Sequence, residues 1–284
     1  MRQRSVSAIG VVVVGLVPAL LGGIIFPIAF TIIALLAFRE VLPLLKLERR
    51  EFQIIGSACI VLAGILAWRY PDGRYLPLVM GISVLLPLAY IVFDRAGTPD
   101  RRDWTTAVGA TLYLVLPTFA AIAIRGMDGT VDQSWFRTFS NAMPGNDRAS
   151  EGLGWFLMAL LITWMSDTAA YLIGKSIGRT KLIPRVSPNK TVEGALGGVI
   201  AAGITAVVCV VGFGLDMHPL TAVIFGIGIG IVGILGDLSE SVLKRRAGVK
   251  DSSNLIPGHG GMLDRIDALI FILVAVWALL PVFQ

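Results

Sequence analysis

The sequence predicts an all-α polytopic integral membrane protein of about nine transmembrane helices, with a cytoplasmic N-terminus and an external C-terminus. Three observations lead there. Of the 284 residues, 55% are apolar and only 15% charged, with a mean hydropathy of +0.79, whereas soluble chains run nearer 25% charged. Apolar runs of about 20 residues recur, each long enough as helix to cross roughly 30 Å of hydrocarbon. Basic residues are also concentrated in alternate loops, as the positive-inside rule requires. These features exclude a water-soluble enzyme, a disordered chain and a coiled coil.

The first run carries no charge from Ser5 to Phe38. It is too long for one helix and suits two short ones broken near Gly22-Gly23. A basic start before an apolar run also describes a signal peptide, but this run is too long and leads directly into more membrane sequence. Further runs at about 53–68, 76–93, 104–124, 153–174, 192–214, 219–243 and 262–282 bring the count to nine. On that topology nineteen of the 24 Lys and Arg fall inside, leaving Arg69, Arg74, Arg125, Arg137 and Arg148 outside. The net charge of +5 is then a feature of loops facing anionic headgroups and does not call for nucleic acid. Cys59 and Cys209 lie far apart in apolar runs and read as core residues.

Composition divides the chain into three segments. Residues 1–75 hold helices one to three; 76–151 hold helices four and five and a polar external loop from about 126; 152–284 hold helices six to nine. Before Glu151 the charges sit in short loops as mixed, solvated clusters. After it, polar residues crowd into and beside the helices, so function is expected there.

Asp237 ends the uncharged run from Pro219. An acid deep in a membrane helix costs a few kcal/mol and by default marks an ion or substrate path. Asp237, Ser241 and Lys244 are spaced i, i+4, i+7, which places carboxylate, hydroxyl and ammonium on one helix face. A structural ion pair with another helix is the plainer reading. Next comes Lys250-Asp251-Ser252-Ser253-Asn254-Leu255-Ile256-Pro257-Gly258-His259-Gly260-Gly261. Its Pro and Gly residues permit a tight loop whose amides could face an anion at the start of the last helix. Asp264 and Asp267 in that helix's first turn suit its dipole. They also suit Mg²⁺, which takes hard oxygen ligands, commonly one or two carboxylates plus phosphate and water. Asp237 and Asp264 could converge on one such ion. His259 could bind phosphate or brace the turn.

Upstream, Ser187 or Thr191 could cap the next helix, with Glu193 in its first turn. Gly194, Gly197 and Gly198 would let helices approach closely. Lys190 and the four other basic residues between 175 and 190 are left unexplained by capping and packing, and together can hold a polyphosphate. Asp167, with Tyr171 and Lys175 at i+4 and i+8, could be a metal ligand, a lysine partner or a bundle-core hydrogen-bonding group. Gly228-x-Gly230-x-x-Gly233 matches the dinucleotide fingerprint but lacks the strand before it. Gly226, Gly230 and Gly233 read instead as a packing seam.

The run Ser241-x-Leu243-Lys244-Arg245-x4-Lys250-Asp251-x-Ser253-x2-Ile256-Pro257-x-His259-Gly260-Gly261-Met262-x-Asp264-Arg265-Ile266-Asp267 resembles the signature of the CDP-diacylglycerol synthases, or phosphatidate cytidylyltransferases. Ser187-Pro188-x-Lys190-Thr191-x-Glu193-Gly194 resembles the same family, many of whose members carry a second lysine where this chain has Asn189. The motifs cover about 160–275; over the N-terminal half the resemblance is one of hydropathy. It implies a dimeric membrane enzyme of phospholipid synthesis, with a polar cavity open to the cytoplasm, in the plasma or inner membrane. The reaction implied is CTP plus phosphatidate giving CDP-diacylglycerol and pyrophosphate, with Mg²⁺ and a nearby K⁺ at the aspartates matching Asp237 and Asp264. Asp267 and Asp167 are expected as helpers. Lys190, Ser241, Lys244, Arg245, Lys250 and Arg265 would hold phosphates, and the His259-Gly260-Gly261 turn would approach them by backbone.

The rival readings are another CTP-using lipid enzyme, such as a polyprenol kinase or lipid cytidylyltransferase, and a cation-coupled transporter. The last predicts inverted repeats, which the sequence does not show. A CDP-alcohol phosphotransferase would need Asp-Gly-x2-Ala-Arg, and neither Asp72-Gly73 nor Asp128-Gly129 continues that way.

Overall fold

A computed structural model describes residues 15–47, 49–93, 101–145, 150–256 and 260–283. Its helices are α1 (residues 15–21), α2 (Ile25–Leu44), α3 (Arg50–Arg69), α4 (Leu76–Phe93), α5 (Arg101–Arg125), α6 (Ser134–Asn141), α7 (Ser150–Ile177), α8 (Val192–Phe213), α9 (Pro219–Ala247) and α10 (Leu263–Phe283). Eight are long and apolar enough to span a membrane, and they coincide with the second to ninth expected helices. The first expected helix lies largely outside the described residues. Its end is α1, and the break after it falls at Gly22 and Gly23, with φ of +61° and +51°. Glycine adopts that left-handed conformation without a Cβ clash.

Local chemistry sets the other boundaries. Thr191 caps α8, its Oγ1 accepting from Gly194 N at 3.1 Å, a contact generally worth about 1 kcal/mol. Pro219 opens α9 at its first turn and Gly248 closes it in the left-handed conformation. Two elements were not expected. The polar segment after α5 contains α6, held by Phe136 stacking on Phe213 at 4.4 Å and by Trp135 Nε1 donating to Gly212 O at 2.9 Å. Between α7 and α8, β1 (Lys181–Ile183) and β2 (Ser187–Thr191) form an antiparallel hairpin pairing Lys181 with Thr191 and Ile183 with Ser187. Both elements are short, and Pro188 weakens any strand pattern in β2.

α5 lies at the centre of the bundle, with 72% of its spanning window buried, and α4 at the edge, with 22%. α10 packs on α9 and α7 and also on α5 and α2, so it joins the first half to the second. Ile200, Ile204 and Val208 of α8 stand 60–63% exposed along one face, an apolar exterior suited to lipid. Cys59 and Cys209 are free and buried, as expected.

The seam read from glycine spacing is present. A Cβ on Gly230 would stand 2.7 Å from Ala202 Cβ, and one on Gly233 would stand 2.9 Å from Ile272, whereas Gly228 faces open space. At one end of the bundle the C-termini of α2, α7 and α9 meet the N-termini of α8 and α10. Glu40–Ser252 and Arg245–Val186 bonds tie this end together. Three of the basic segments expected to share one side of the membrane therefore do lie together.

Candidate active site

Four helices and the hairpin enclose a cavity of about 390 Å³ at this end. α7 contributes Ser166, Asp167, Tyr171 and Lys175, β2 contributes Asn189 and Lys190, and α9 contributes Asp237. The walls are close because the α7–α8 contact is made of small residues. A Cβ on Gly194 would lie 2.7 Å from Ala170 O, and one on Gly198 would lie 3.0 Å from Ser166 O. Glu193 fastens the hairpin's base: its carboxylate accepts from the backbone N–H of Arg179 and Thr180 at 3.1 Å each. So fixed, β2 holds Lys190 across the cavity, where its ammonium pairs with the Asp237 carboxylate. Both side chains remain a little under one-third exposed to the cavity. Ser241 Oγ lies 3.5 Å from the other Asp237 oxygen, a long hydrogen bond.

Two turns further along α9, Lys244 forms a second cationic centre. Its Nζ donates to Asp264 Oδ1 at 2.6 Å. It also stands 2.6 Å from Glu240 Oε2, an ion pair whose direction is not that of a hydrogen bond. Glu240 is wholly buried, and Lys244 is only 12% exposed. Lys244 thus faces Asp264 and Glu240, although its spacing puts it on the same helix face as Asp237. Asp267 is within electrostatic reach of Asp237, Asp167 and Lys244, and Asp167 is within reach of Asp237 and Lys190.

Asp264 is anchored from several sides. Its Oδ2 accepts from Gly261 N at 2.7 Å and Ser252 N at 2.9 Å, and lies 2.9 Å from Ser252 Oγ. The Gly261 amide, expected to face an anionic ligand, is therefore directed at Asp264. Gly260 turns the chain at φ +78°, and a Cβ there would meet Asp264 Oδ2 at 2.5 Å. Pro257, Gly258 and His259 lie outside the described residues.

Of the remaining expected phosphate ligands, Lys250 and Arg265 are exposed at the same end of the bundle. Arg245 is also exposed, and it braces the hairpin by donating to Val186 O at 3.2 Å and to Val249 O at 3.0 Å. Tyr171 carries the Lys175 ammonium 5.7 Å over its ring, a cation–π arrangement. Ser166 Oγ is buried beside Asp167 and has no hydrogen-bond partner among the described residues.

Sequence reading missed two acidic residues. Glu240 was legible as an i, i+4 Glu–Lys pair with Lys244. Glu40, in α2, gave no such signal and had been counted among solvated loop charges. It is instead 7% exposed and accepts four hydrogen bonds from the segment around α10's start. The donors are Ser253 Oγ at 2.7 Å, Ser252 Oγ and Leu263 N at 2.8 Å, and Met262 N at 2.9 Å.

The profile of the cytidylyltransferase family matches residues 2–283. Three bacterial proteins named phosphatidate cytidylyltransferase resemble the chain at full length. The Bacillus subtilis protein is 30% identical over 289 residues, covering 100% of this chain and 99% of its own. The Staphylococcus epidermidis protein is 32% identical over 273 residues and a Staphylococcus aureus protein 33% over 277, each with 96% of both chains covered. The similarity thus extends through the N-terminal half, where hydropathy alone had suggested it.

Proposed function

The chain belongs to the cytidylyltransferase family, and from that premise we infer that it transfers the cytidylyl group of CTP to phosphatidate, giving CDP-diacylglycerol and pyrophosphate. The structural observation that carries this reading is the pairing of Lys190 with Asp237 inside a helix-walled cavity, two helical turns from Lys244 with Asp264.

The chemistry needs little else. A phosphatidate oxygen, already ionised near neutral pH, attacks the α-phosphorus of CTP as the bond to the β-phosphate oxygen breaks. The attacking atom belongs to the substrate, so no protein nucleophile is required. The protein must hold two anions together and stabilise the charge that leaves on pyrophosphate, an electrostatic task. Lys190 and Lys244 point ammonium groups into this region, and Lys250 and Arg265 add positive charge at the same end of the bundle. Ser241 supports Asp237. Arg245 acts on the phosphates by holding the hairpin that carries Lys190.

The residues fit a divalent cation. Five carboxyl groups, those of Asp167, Asp237, Glu240, Asp264 and Asp267, share this region with three ammonium groups, those of Lys175, Lys190 and Lys244, so acidic groups outnumber basic ones. The donors are hard oxygens, which suits Mg²⁺. Among the described residues no three acidic, imidazole or thiol groups enclose a metal by themselves; phosphate and water commonly complete such a shell. Asp237 and Asp264 would hold the ion, with Asp267 and Asp167 beside them and K⁺ as a second cation. Bound there, it would offset the charge of both substrates and of the departing pyrophosphate.

Purified protein incubated with phosphatidate, Mg²⁺ and CTP labelled at the α-phosphate should place label in the lipid phase. CTP labelled at the γ-phosphate should not. Lipid labelled only from the γ position would indicate a lipid kinase, and no lipid label from either would sink the reading. Chelating Mg²⁺ should abolish transfer, and adding it back should restore it.

The same reading places the protein in the plasma or inner membrane as a homodimer, with the cavity end facing the cytoplasm. The N-terminus is then cytoplasmic and the C-terminus external. Cysteines introduced at Arg2 and Gln284 should be tagged from opposite sides of the membrane. Labelling of both from one side would rule out an odd number of crossings.

A further inference from the structure

We propose that Glu40 is a positioning residue for cytidylyl transfer, clamping the segment that carries Asp264 and thereby setting where Asp264 and Lys244 stand. The proposal rests on the functional reading above and adds to it a residue from the N-terminal half of the chain.

The geometry is specific. Each Glu40 oxygen takes one serine hydroxyl and one backbone amide: Ser253 Oγ and Met262 N on Oε1, Ser252 Oγ and Leu263 N on Oε2. Met262 immediately precedes α10 and Leu263 opens it, and the first amides of a helix have no partner within it. Glu40 therefore caps α10 from a different helix, while holding the two serines that lie ten residues upstream of that cap. The Ser252 hydroxyl also stands 2.9 Å from Asp264 Oδ2. Its single proton serves one carboxylate at a time, so Glu40 and Asp264 are coupled through one hydroxyl.

From Asp264 the chain of contacts continues to Lys244. Gly261 is fitted into the same clamp, since a Cβ there would collide with both Ser252 Oγ and the Glu40 carboxylate. A buried carboxylate with four donors from one segment exceeds what capping alone requires. It fixes α2, the loop and α10 as one unit, directly behind the Asp264–Lys244 pair. Groups that orient metal or phosphate ligands in this way commonly change affinity or rate about 10–100-fold when lost.

The test uses the purified full chain with Glu40→Gln, which retains shape but loses the charge and one acceptor oxygen. Amide hydrogen exchange at Gly261–Leu263 should accelerate about tenfold, on the scale of one lost hydrogen bond to a charged group. Exchange in α8 should not change. In the transfer assay kcat should fall about tenfold or more, and the Mg²⁺ concentration for half-maximal rate should rise. A merely structural loss would lower the amount of active enzyme without moving that concentration.

Ser253→Ala, which leaves the carboxylate in place, should shift both readouts in the same direction by about threefold. It should add little in the Glu40→Gln background, because both act on one clamp. A folded Glu40→Gln protein with parental exchange at Gly261–Leu263 and parental kcat would overturn the proposal. If Glu40→Gln does not fold, a Ser253→Ala protein unchanged in both readouts would do the same. Accelerated exchange in Glu40→Gln, together with a parent chain that transfers no cytidylyl group, would instead indict the functional reading.

Discussion

Asp237→Asn and Asp264→Asn should each lower turnover roughly a hundredfold or more, the scale of losing one electrostatic partner of a transition state. Asparagine keeps the shape and one carbonyl oxygen but removes the charge that a cation would need. The two substitutions differ in their side effects. The Asp237 side chain is 28% exposed to the cavity, so its replacement should leave thermal stability close to that of the parent. The Asp264 side chain is 5% exposed, pairs with Lys244, and holds Ser252 and Gly261. Breaking a buried pair from one side generally costs about 3–5 kcal/mol, so Asp264→Asn should lose stability as well as rate. Because both carboxylates serve one reaction unit, the double substitution should be scarcely slower than the slower single. Steady-state transfer and thermal unfolding of the four proteins decide this. A correctly inserted single variant with near-normal turnover and unchanged Mg²⁺ dependence would remove that aspartate from the site.

Lys190→Ala should likewise cost about a hundredfold or more in turnover while membrane insertion and folding stay normal, because Lys190 is held by the hairpin and bears little of the bundle's packing. Lys244→Ala should match it in rate but also destabilise the chain, since Glu240 would be left buried beside an alanine. Arg49→Ala and Arg50→Ala change exposed side chains at the start of α3. They should stay within about twofold, as surface substitutions usually do. The measurement is transfer rate normalised to inserted protein. Equal losses at all four positions would mean that the basic loops act through general charge and not through a site.

Much of this was legible in the chain's linear order. Hydropathy located eight spans to within a few residues, because a membrane helix must satisfy its backbone internally and cover itself with apolar side chains. Gly22-Gly23 and Thr191 marked boundaries through local backbone chemistry, which acts over a few residues and is therefore visible in a short window. Asp237, Lys190, Lys244 and Asp264 were conspicuous because each is costly in or beside a membrane helix unless it has a partner. The hairpin and α6 were not legible. Both are too short to have a periodic signature, and both are held by contacts with residues distant in sequence or outside the element, such as Phe213 for α6 and Glu193 for the hairpin.

The sequence by itself determined the class of fold, the helical spans and the identity of the charged groups at the site, since these follow from composition and spacing. Which charges meet was decided only by tertiary structure. Helical spacing put Lys244 on the face of Asp237, but packing turned it to Asp264 and Glu240 and left Asp237 to Lys190 from the hairpin. Glu40 is the clearest case. In sequence it is an acid at the end of a helix, more than 200 positions from the residues it binds. Its role arises because α2 ends beside the start of α10, and a buried carboxylate there is stable only where donors surround it.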